Sequence, residues 1–454
     1  MNKLRPLSED WDSPEVAAGA SATEPLVLAL LAAALAASLG IFAYVVAKAF
    51  VKQPYSDMFD HLQRSFDDGG SGGGLTYLWS LHNGQHVVWV RILTALDVKL
   101  FHGTALIFAG VSILAVTLAA ALIGYVLWRA VPARGLGAGA AALNGMLIVS
   151  TVNAEDCTQP INSVYAITFG LAVAAIVLLE SPGWALRGRI GSAQPIALIA
   201  ALGAAFGNAA GLAVWPVLAL SAWRSRMTRW LLATAIVAGG FLIALYLWDS
   251  HNIATAQRAG GSVRHAIRMA DYFLLYCSAP WSLMRILKPA RLAIGAIAAL
   301  VGVVWIARGP RRTGPAGRIE RIGLDLIAFA LITAAMAAIG RVDENPEIAV
   351  PVRYAIFMSA FDVGVVCVLV ARMTQDWPVS RGRAMTAALA MAALLLGQQV
   401  AAGASLIRSS AHVRAVIAAF DSGRRTPEML RLIHPDLGFA ARVTKEYRRR
   451  GLYR

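Results

Sequence analysis

The chain has 454 residues, 58% of them apolar and only 15% charged, with a mean hydropathy of +0.60. Soluble globular chains are nearer a quarter charged, and disordered ones are poor in apolar residues, so both classes are excluded. The net charge of +15 does not point to nucleic acid, because most arginines sit in short connectors between apolar runs, the bias that orients membrane helices.

Residues 1–25 read as a polar cytoplasmic tail and 26–47 as the first transmembrane helix, too far along the chain and too acidic in its preceding segment for a cleaved signal peptide. Residues 48–104 then form a polar, aromatic, His-rich excursion with no spanning segment. Apolar runs return at 105–128, 136–151, 163–180, 194–207, 209–223, 230–248, 291–307, 322–340, 354–372 and 384–402. Together with the first run they predict about eleven helices, an all-α polytopic membrane protein with its bundle over 105–402. The runs around Ala200 and Leu218 are short for a full crossing, and Asn208 and Pro216 interrupt them, which predicts a broken or re-entrant hairpin.

Arg129, Arg134, Arg187, Arg189, Arg224, Arg229, Arg308, Arg311, Arg312, Arg381 and Arg383 all fall in connectors on one side, predicted to be cytoplasmic with the N-terminus. The outer loops are then 152–162, 249–290 and 341–353, the first carrying Glu155 and Asp156 and the last Asp343, Glu344 and Glu347. The basic tail, 403–454, also falls outside, against the charge bias, as long segments translocate largely regardless of charge. Cys157, Cys277 and Cys367 show no metal-finger spacing. The first two share the outer side, leaving open a disulfide or buried free thiols.

The excursion holds most of the chemistry. Over Pro54–Phe66, Met58, Phe59, Leu62 and Phe66 share an arc of about 100°, with Asp57, Asp60, His61 and Arg64 opposite. This predicts a helix in the interface plane, its apolar side in lipid or against the bundle. Asp57, at its start, reads either as a helix cap or, with Asp60, as a carboxylate pair able to take a proton from a hydroxyl or hold a divalent ion. Residues 67–74 are a Gly-rich connector without a nucleotide-loop ending. In the next segment, 75–97, His82 and His86 stand four apart on a predicted helical face, a spacing that suits either metal ligation or hydrogen bonding. Tyr77, Trp79 and Trp89 suit a headgroup belt, and Arg91 and Asp97 read as paired or functional charges in an apolar context. Further on, Glu155, Asp156 and Gln159 form a second acidic cluster. Arg353, followed by Tyr354, is either a snorkelling anchor or a phosphate binder.

An early helix followed by a long outer loop with an acidic motif and interfacial helices resembles the GT-C superfamily of polytopic glycosyltransferases. Residues 55–60 (Tyr-Ser-Asp-Met-Phe-Asp), 78–86 (Leu-Trp-Ser-Leu-His-Asn-Gly-Gln-His), Arg91, Asp97, Asn208, Trp215, Pro216, Arg353, Tyr354, His434 and Asp436 carry the resemblance over most of the chain. It implies transfer of a sugar, with inversion, from a polyprenyl-phosphate-type lipid donor to a hydroxyl of a glycan, lipid or protein at the outer face of the plasma membrane, with the C-terminus periplasmic. It implies Asp57 as base with Asp60 nearby, Arg353 or Arg91 at the donor phosphate, and Tyr354, His82, Asn83, His86 and Gln159 around the substrate. Glu155 and Asp156 match the second acidic motif only loosely, which is where a divalent metal would be bound. The adjacent acidic doublet of the family is missing, since two residues separate Asp57 from Asp60. A transporter or flippase of lipid-linked glycans, with Asp325 and Asp362 as its intramembrane charges, is the alternative, as is a glycan ligase or polymerase.

Overall fold

A computed structural model describes residues 24–68, 74–82, 85–131, 133–181, 193–225, 227, 229–249, 263–284, 287–341, 352–376 and 381–453. In chain order the helices are α1 (Glu24–Ala49), α2 (Met58–Asp68), α3 (Gly74–Trp79), α4 (Val88–Leu100), α5 (Leu106–Ala130), α6 (Arg134–Ile148) and α7 (Glu155–Thr158). They continue as α8 (Ser163–Leu179), α9 (Ala193–Ala205), α10 (Val214–Arg224), α11 (Arg229–Asp249), α12 (Val263–Cys277), α13 (Lys288–Arg308), α14 (Gly314–Gly340), α15 (Ala355–Asp376), α16 (Arg381–Asp421), α17 (Pro427–Leu432) and α18 (Leu437–Arg449). A two-residue ribbon, β1 (Leu81–His82) with β2 (Gln85–His86), lies between α3 and α4. The protein is thus an all-α polytopic membrane protein. Among the described residues, eight helices are long and apolar enough to cross a membrane: α1, α5, α8, α11, α13, α14, α15 and α16.

The bundle packs most tightly between α14 and α15. There a Cβ added at Gly323 would meet the Gly364 carbonyl at 2.7 Å, and one added at Gly364 would meet that of Gly323 at 2.5 Å. Only paired glycines let two helix backbones approach so closely, and in lipid such packing replaces the hydrophobic driving force. At one end of the bundle the arginine-bearing connectors neutralise buried acids. Glu180 takes Arg321 at 2.7 Å and the hydroxyls of Ser221 and Ser225 at 2.8 and 3.0 Å. Glu320 takes Arg372 at 2.9 Å and the backbone N–H groups of Arg311 and Arg312 at 2.8 and 3.0 Å.

At the other end the excursion, α7, the turn at Val352–Tyr354 and the tail come together. The stripe of α2 (Met58, Phe59, Leu62 and Phe66) is buried against Val413, Ile417 and Phe420 of α16, Met429 of α17 and Val443 and Tyr447 of α18. Of the two expected surfaces, lipid and protein, it takes protein, and each such side chain contributes about 1.5–3 kcal/mol on burial. The helix predicted to end near residue 402 runs on unbroken to Asp421. Its 41 residues reach roughly 60 Å, about twice the hydrocarbon thickness. Gly403, the expected boundary, is instead a close-approach residue, since a Cβ there would meet Val45 Cγ2 at 2.5 Å.

α9 and α10 form the expected short hairpin. α9 has 13 residues and so spans roughly 20 Å. Asn208 caps the turn between them through the Ala210 N–H at 3.0 Å. The excursion sits on this tip: Val88 N–H donates to the Phe206 carbonyl at 3.1 Å, and Trp89 Nε1 to the Gly203 carbonyl at 2.8 Å. Trp89 is therefore a helix tie and not part of a headgroup belt. Cys157 and Cys277 are buried free thiols, not a disulfide.

Candidate active site

Asp57 stands one residue ahead of α2, where the chain turns sharply. Ser56 before it adopts a left-handed φ of 52°, a conformation that a non-glycine residue holds only when its surroundings fix it. Its N–H is taken by the Ile433 carbonyl of the tail at 2.7 Å. The Asp57 carboxylate meets His82 Nε2 at 3.1 Å, so the cap position is occupied by a group whose charge is used on β1. The Asp57 side chain keeps 41% of its surface open, and that of His82 10%. The His82 hydrogen bond holds the Asp57 carboxyl below its ordinary range against the opposing effect of burial, with the charge of Arg353 adding to it.

His61 lies behind this pair. It is fully buried, its ring 4.4 Å from that of His82, and neither ring nitrogen meets a protein partner among the described residues. Burial, His82 and Arg91 push its pKa well below the ordinary histidine value, so it is neutral, with one donor and one acceptor. His61 therefore does not lie on the expected polar face of α2. At 100° per residue it lies about 60° from Met58, at the border of the stripe, and β1 and α4 close over it. The phenol oxygen of Tyr55, a residue 7% exposed, also has no protein partner.

α7 and the 352–354 turn pack together. Asn162 Nδ2 bridges Glu155 Oε1 at 3.3 Å and Gln159 Oε1 at 3.0 Å. The Arg353 guanidinium lies 5.9 Å from the Tyr165 ring and 5.6 Å from the Tyr354 ring, while Arg341 approaches Tyr354 from 5.6 Å. Burial opposes the Arg353 charge, but Tyr165, Tyr354 and Glu155 outweigh it and the guanidinium stays charged. Its field reaches Tyr55, Asp57, Glu155 and Asp156 alike. Three segments nearly three hundred residues apart in sequence thus share one electrostatic environment.

Several expected residues sit elsewhere. Asp60 turns to the tail, 3.6 Å from His434 Nε2, so Asp57 and Asp60 face different imidazoles and do not form a carboxylate pair. His82 and His86 do not share a helical face. They fall on opposite faces of the ribbon, because strand neighbours alternate and His82 is registered with Gln85. His86 stacks on Trp79 at 4.1 Å, and its Nδ1 lies 2.6 Å from the Trp79 carbonyl. Tyr77 and Trp79 are likewise packed inward. Arg91, fully buried, donates to the Tyr77 carbonyl and lies 5.5 Å from its ring. It therefore holds α3 against α4, and its charge reaches His61. Asp97 accepts from Ala105 N–H at 3.0 Å and from Tyr453 O–H at 3.2 Å, a structural clamp on the end of the tail. Asn83, Asp343, Glu344 and Glu347 lie outside the described residues.

A divalent ion at Glu155 and Asp156 fits poorly. Arg353 already faces both acids, Asn162 occupies Glu155, and no group of three His, Cys, Asp or Glu side chains able to hold a metal occurs among the described residues. The sequence assigns no site role to His61, Tyr55 or Asn162, although Tyr55 opens the 55–60 motif. The one available signal was the border position of His61 on the α2 wheel. Comparison with protein-family models, with curated proteins and with solved structures finds no match.

Proposed function

We propose that the protein is a membrane glycosyltransferase of the GT-C type, moving a sugar from a polyprenyl-phosphate-type lipid donor to a hydroxyl of a glycan, lipid or protein at the extracytoplasmic face. The observation that carries this reading is a solvent-reaching carboxylate, Asp57, held ionised by His82 and lying within the field of the Arg353 guanidinium. Beside them, His61 and Tyr55 leave buried polar atoms without a protein partner among the described residues, and such atoms call for a ligand or water. Asp57 takes the proton of the acceptor hydroxyl as its oxygen attacks the anomeric carbon. The bond from that carbon to the phosphate oxygen breaks, its electrons leave with the phosphate, and Arg353 stabilises the charge that develops there. Attack opposite the leaving group inverts the anomeric centre.

The test is consumption of a panel of radiolabelled polyprenyl-phosphate hexoses by the protein in lipid nanodiscs. Wild type should consume at least one, and Asp57→Asn should fold normally and lose roughly 10²–10⁴-fold of the rate. No consumption by wild type, or an unchanged rate in Asp57→Asn, rejects the reading. In cells, cysteines at exposed Arg64 and Arg424 should react with an impermeant thiol reagent from outside, and one at exposed Arg311 should not. Protection of the first two rejects the orientation.

A further inference from the structure

The acid expected to hold a metal is placed for another task. Asp156 is 0% exposed, and neither of its carboxyl oxygens meets a protein partner among the described residues. The titratable groups around it are Glu155 and Cys157 on its own turn, Arg353 from the packed 352–354 turn and Tyr165 from α8. Glu155 is occupied by Asn162. With a single cation already shared by two acids, the second acid is best accommodated as a neutral carboxyl, and a neutral carboxyl is a hydrogen-bond donor.

We propose that Asp156 is the general acid of the transfer, giving its carboxyl proton to the phosphate oxygen that departs from the anomeric carbon. This rests on the transferase reading above. The balance is closed: the acceptor proton goes to Asp57, the new glycosidic bond forms, and the electrons of the broken bond go to the phosphate oxygen. That oxygen takes the Asp156 proton, and proton exchange through solvent returns Asp57 to carboxylate and Asp156 to acid. The division matches the exposures: Asp57, with 41% of its side chain open, is the carboxyl a hydroxyl acceptor can reach from solvent, and Asp156, fully enclosed, sits on the turn packed against Arg353, the cation proposed for the phosphate. Two carboxyls whose surroundings push their protonation in opposite directions are the pattern of an acid and base working together. Burial, reinforced by Glu155, raises Asp156 well above the carboxylate range despite Arg353, while His82 lowers Asp57.

The experiment uses full-length protein in nanodiscs, difference infrared spectra, and a polyprenyl-phosphate hexose as probe. A protonated-carboxyl stretch should be present at pH 7, vanish in Asp156→Asn and shift in Asp156→Glu. The rate with Asp156→Asn should fall roughly 10²-fold, and Asp156→Glu should restore part of it. A general acid works only while protonated, so the wild-type rate should fall as pH rises through the Asp156 value. Asp156→Asn should lose that high-pH limb and keep the low-pH limb set by Asp57. A merely structural residue would lower the rate without removing a limb. The proposal is overturned by absence of the carboxyl band, by an unchanged high-pH limb in Asp156→Asn, or by a rate abolished by EDTA and restored by magnesium. If wild type consumes no donor while the band persists, the transferase reading fails and the acid role with it, but the neutral carboxyl stands.

Discussion

Removing the imidazole of His82 should move the acid limb of the reaction and leave its neutral-pH rate almost in place. A hydrogen bond to a charged group contributes about 1.5–3 kcal/mol. This one spans 3.1 Å to a carboxylate with 41% of its side chain open, and such exposure screens the interaction toward the lower bound. About 1.4 kcal/mol corresponds to one pH unit, so the acid limb of donor consumption should rise by about one unit in His82→Ala. Asp57 remains ionised at pH 7 in both proteins, so the loss there reflects misorientation alone. Below the shifted limb it should approach tenfold. His82→Gln, which keeps a donor at similar reach, should return the limb most of the way. Stability gives an independent reading. A carboxyl lowered in the folded state stabilises above its unfolded value of about 4 and loses that contribution as pH falls through the folded value. The gap in melting temperature between wild type and His82→Ala in detergent should therefore close in acid. An acid limb that does not move in a well-folded His82→Ala protein would refute the assignment of Asp57 as the titrating base.

Arg353→Ala should raise the donor KM at least about tenfold by removing a charge-assisted phosphate contact, and Arg353→Lys should rescue little, because an ammonium cannot lie flat over Tyr165 and Tyr354. Steady-state donor kinetics check both. Glu320→Ala, at the far end of the bundle, leaves Arg372 and two backbone N–H groups without their acceptor. It should destabilise by about 3–5 kcal/mol, read as a lower melting temperature with an unchanged rate per folded molecule. Tyr453→Phe removes one donor from buried Asp97, whose pKa burial has pushed up to about 6 despite that bond and the Ala105 N–H. A carboxyl raised on folding favours the fold below its unfolded value of about 4 and loses that advantage as pH rises through about 6. Hydrogen exchange across α18 should therefore quicken in Tyr453→Phe, and more at pH 8 than at pH 5.

The bundle was legible because its signal is periodic and cumulative. Each of the eleven apolar runs became a helix, and the Arg-rich connectors cluster at one end. Segment 75–97 was misread because its local pattern suited a helix. The Asn83–Gly84 dipeptide is a hairpin-turn signal in the sequence, and the ribbon of β1 and β2 sends His82 to Asp57 and His86 to Trp79. The composition of the site was half legible. Asp57 stands out at the start of an amphipathic stretch, Glu155 and Asp156 as an acidic cluster in an outer loop and Arg353 at the outer end of an apolar run, but single residues do not reveal their partners. Asp60 and Asp57 look equivalent in sequence, and only the position of His434 on the returning tail separates them. Burial of His61 depends on two elements that close over it from later in the chain, which no local window contains.

The tail explains why the site lies where it does. A helix of 41 residues cannot end inside a bilayer about 30 Å thick, so α16 must project beyond it, on the same side as the excursion. That projection gives α2 a protein surface for its stripe and frees it from the lipid interface that an isolated amphipathic helix would seek. It also carries α17 back to the start of α2, so that the Ile433 carbonyl fixes Ser56 in its left-handed conformation and thereby aims Asp57 at His82. Asp97 and Tyr453 close the same arrangement from the other end. Orientation of the carboxylate is thus set by residues almost four hundred positions away. A cluster of charges at a membrane surface needs such a cover, because water that entered freely would screen the Arg353 charge that acts on Asp57 and Asp156.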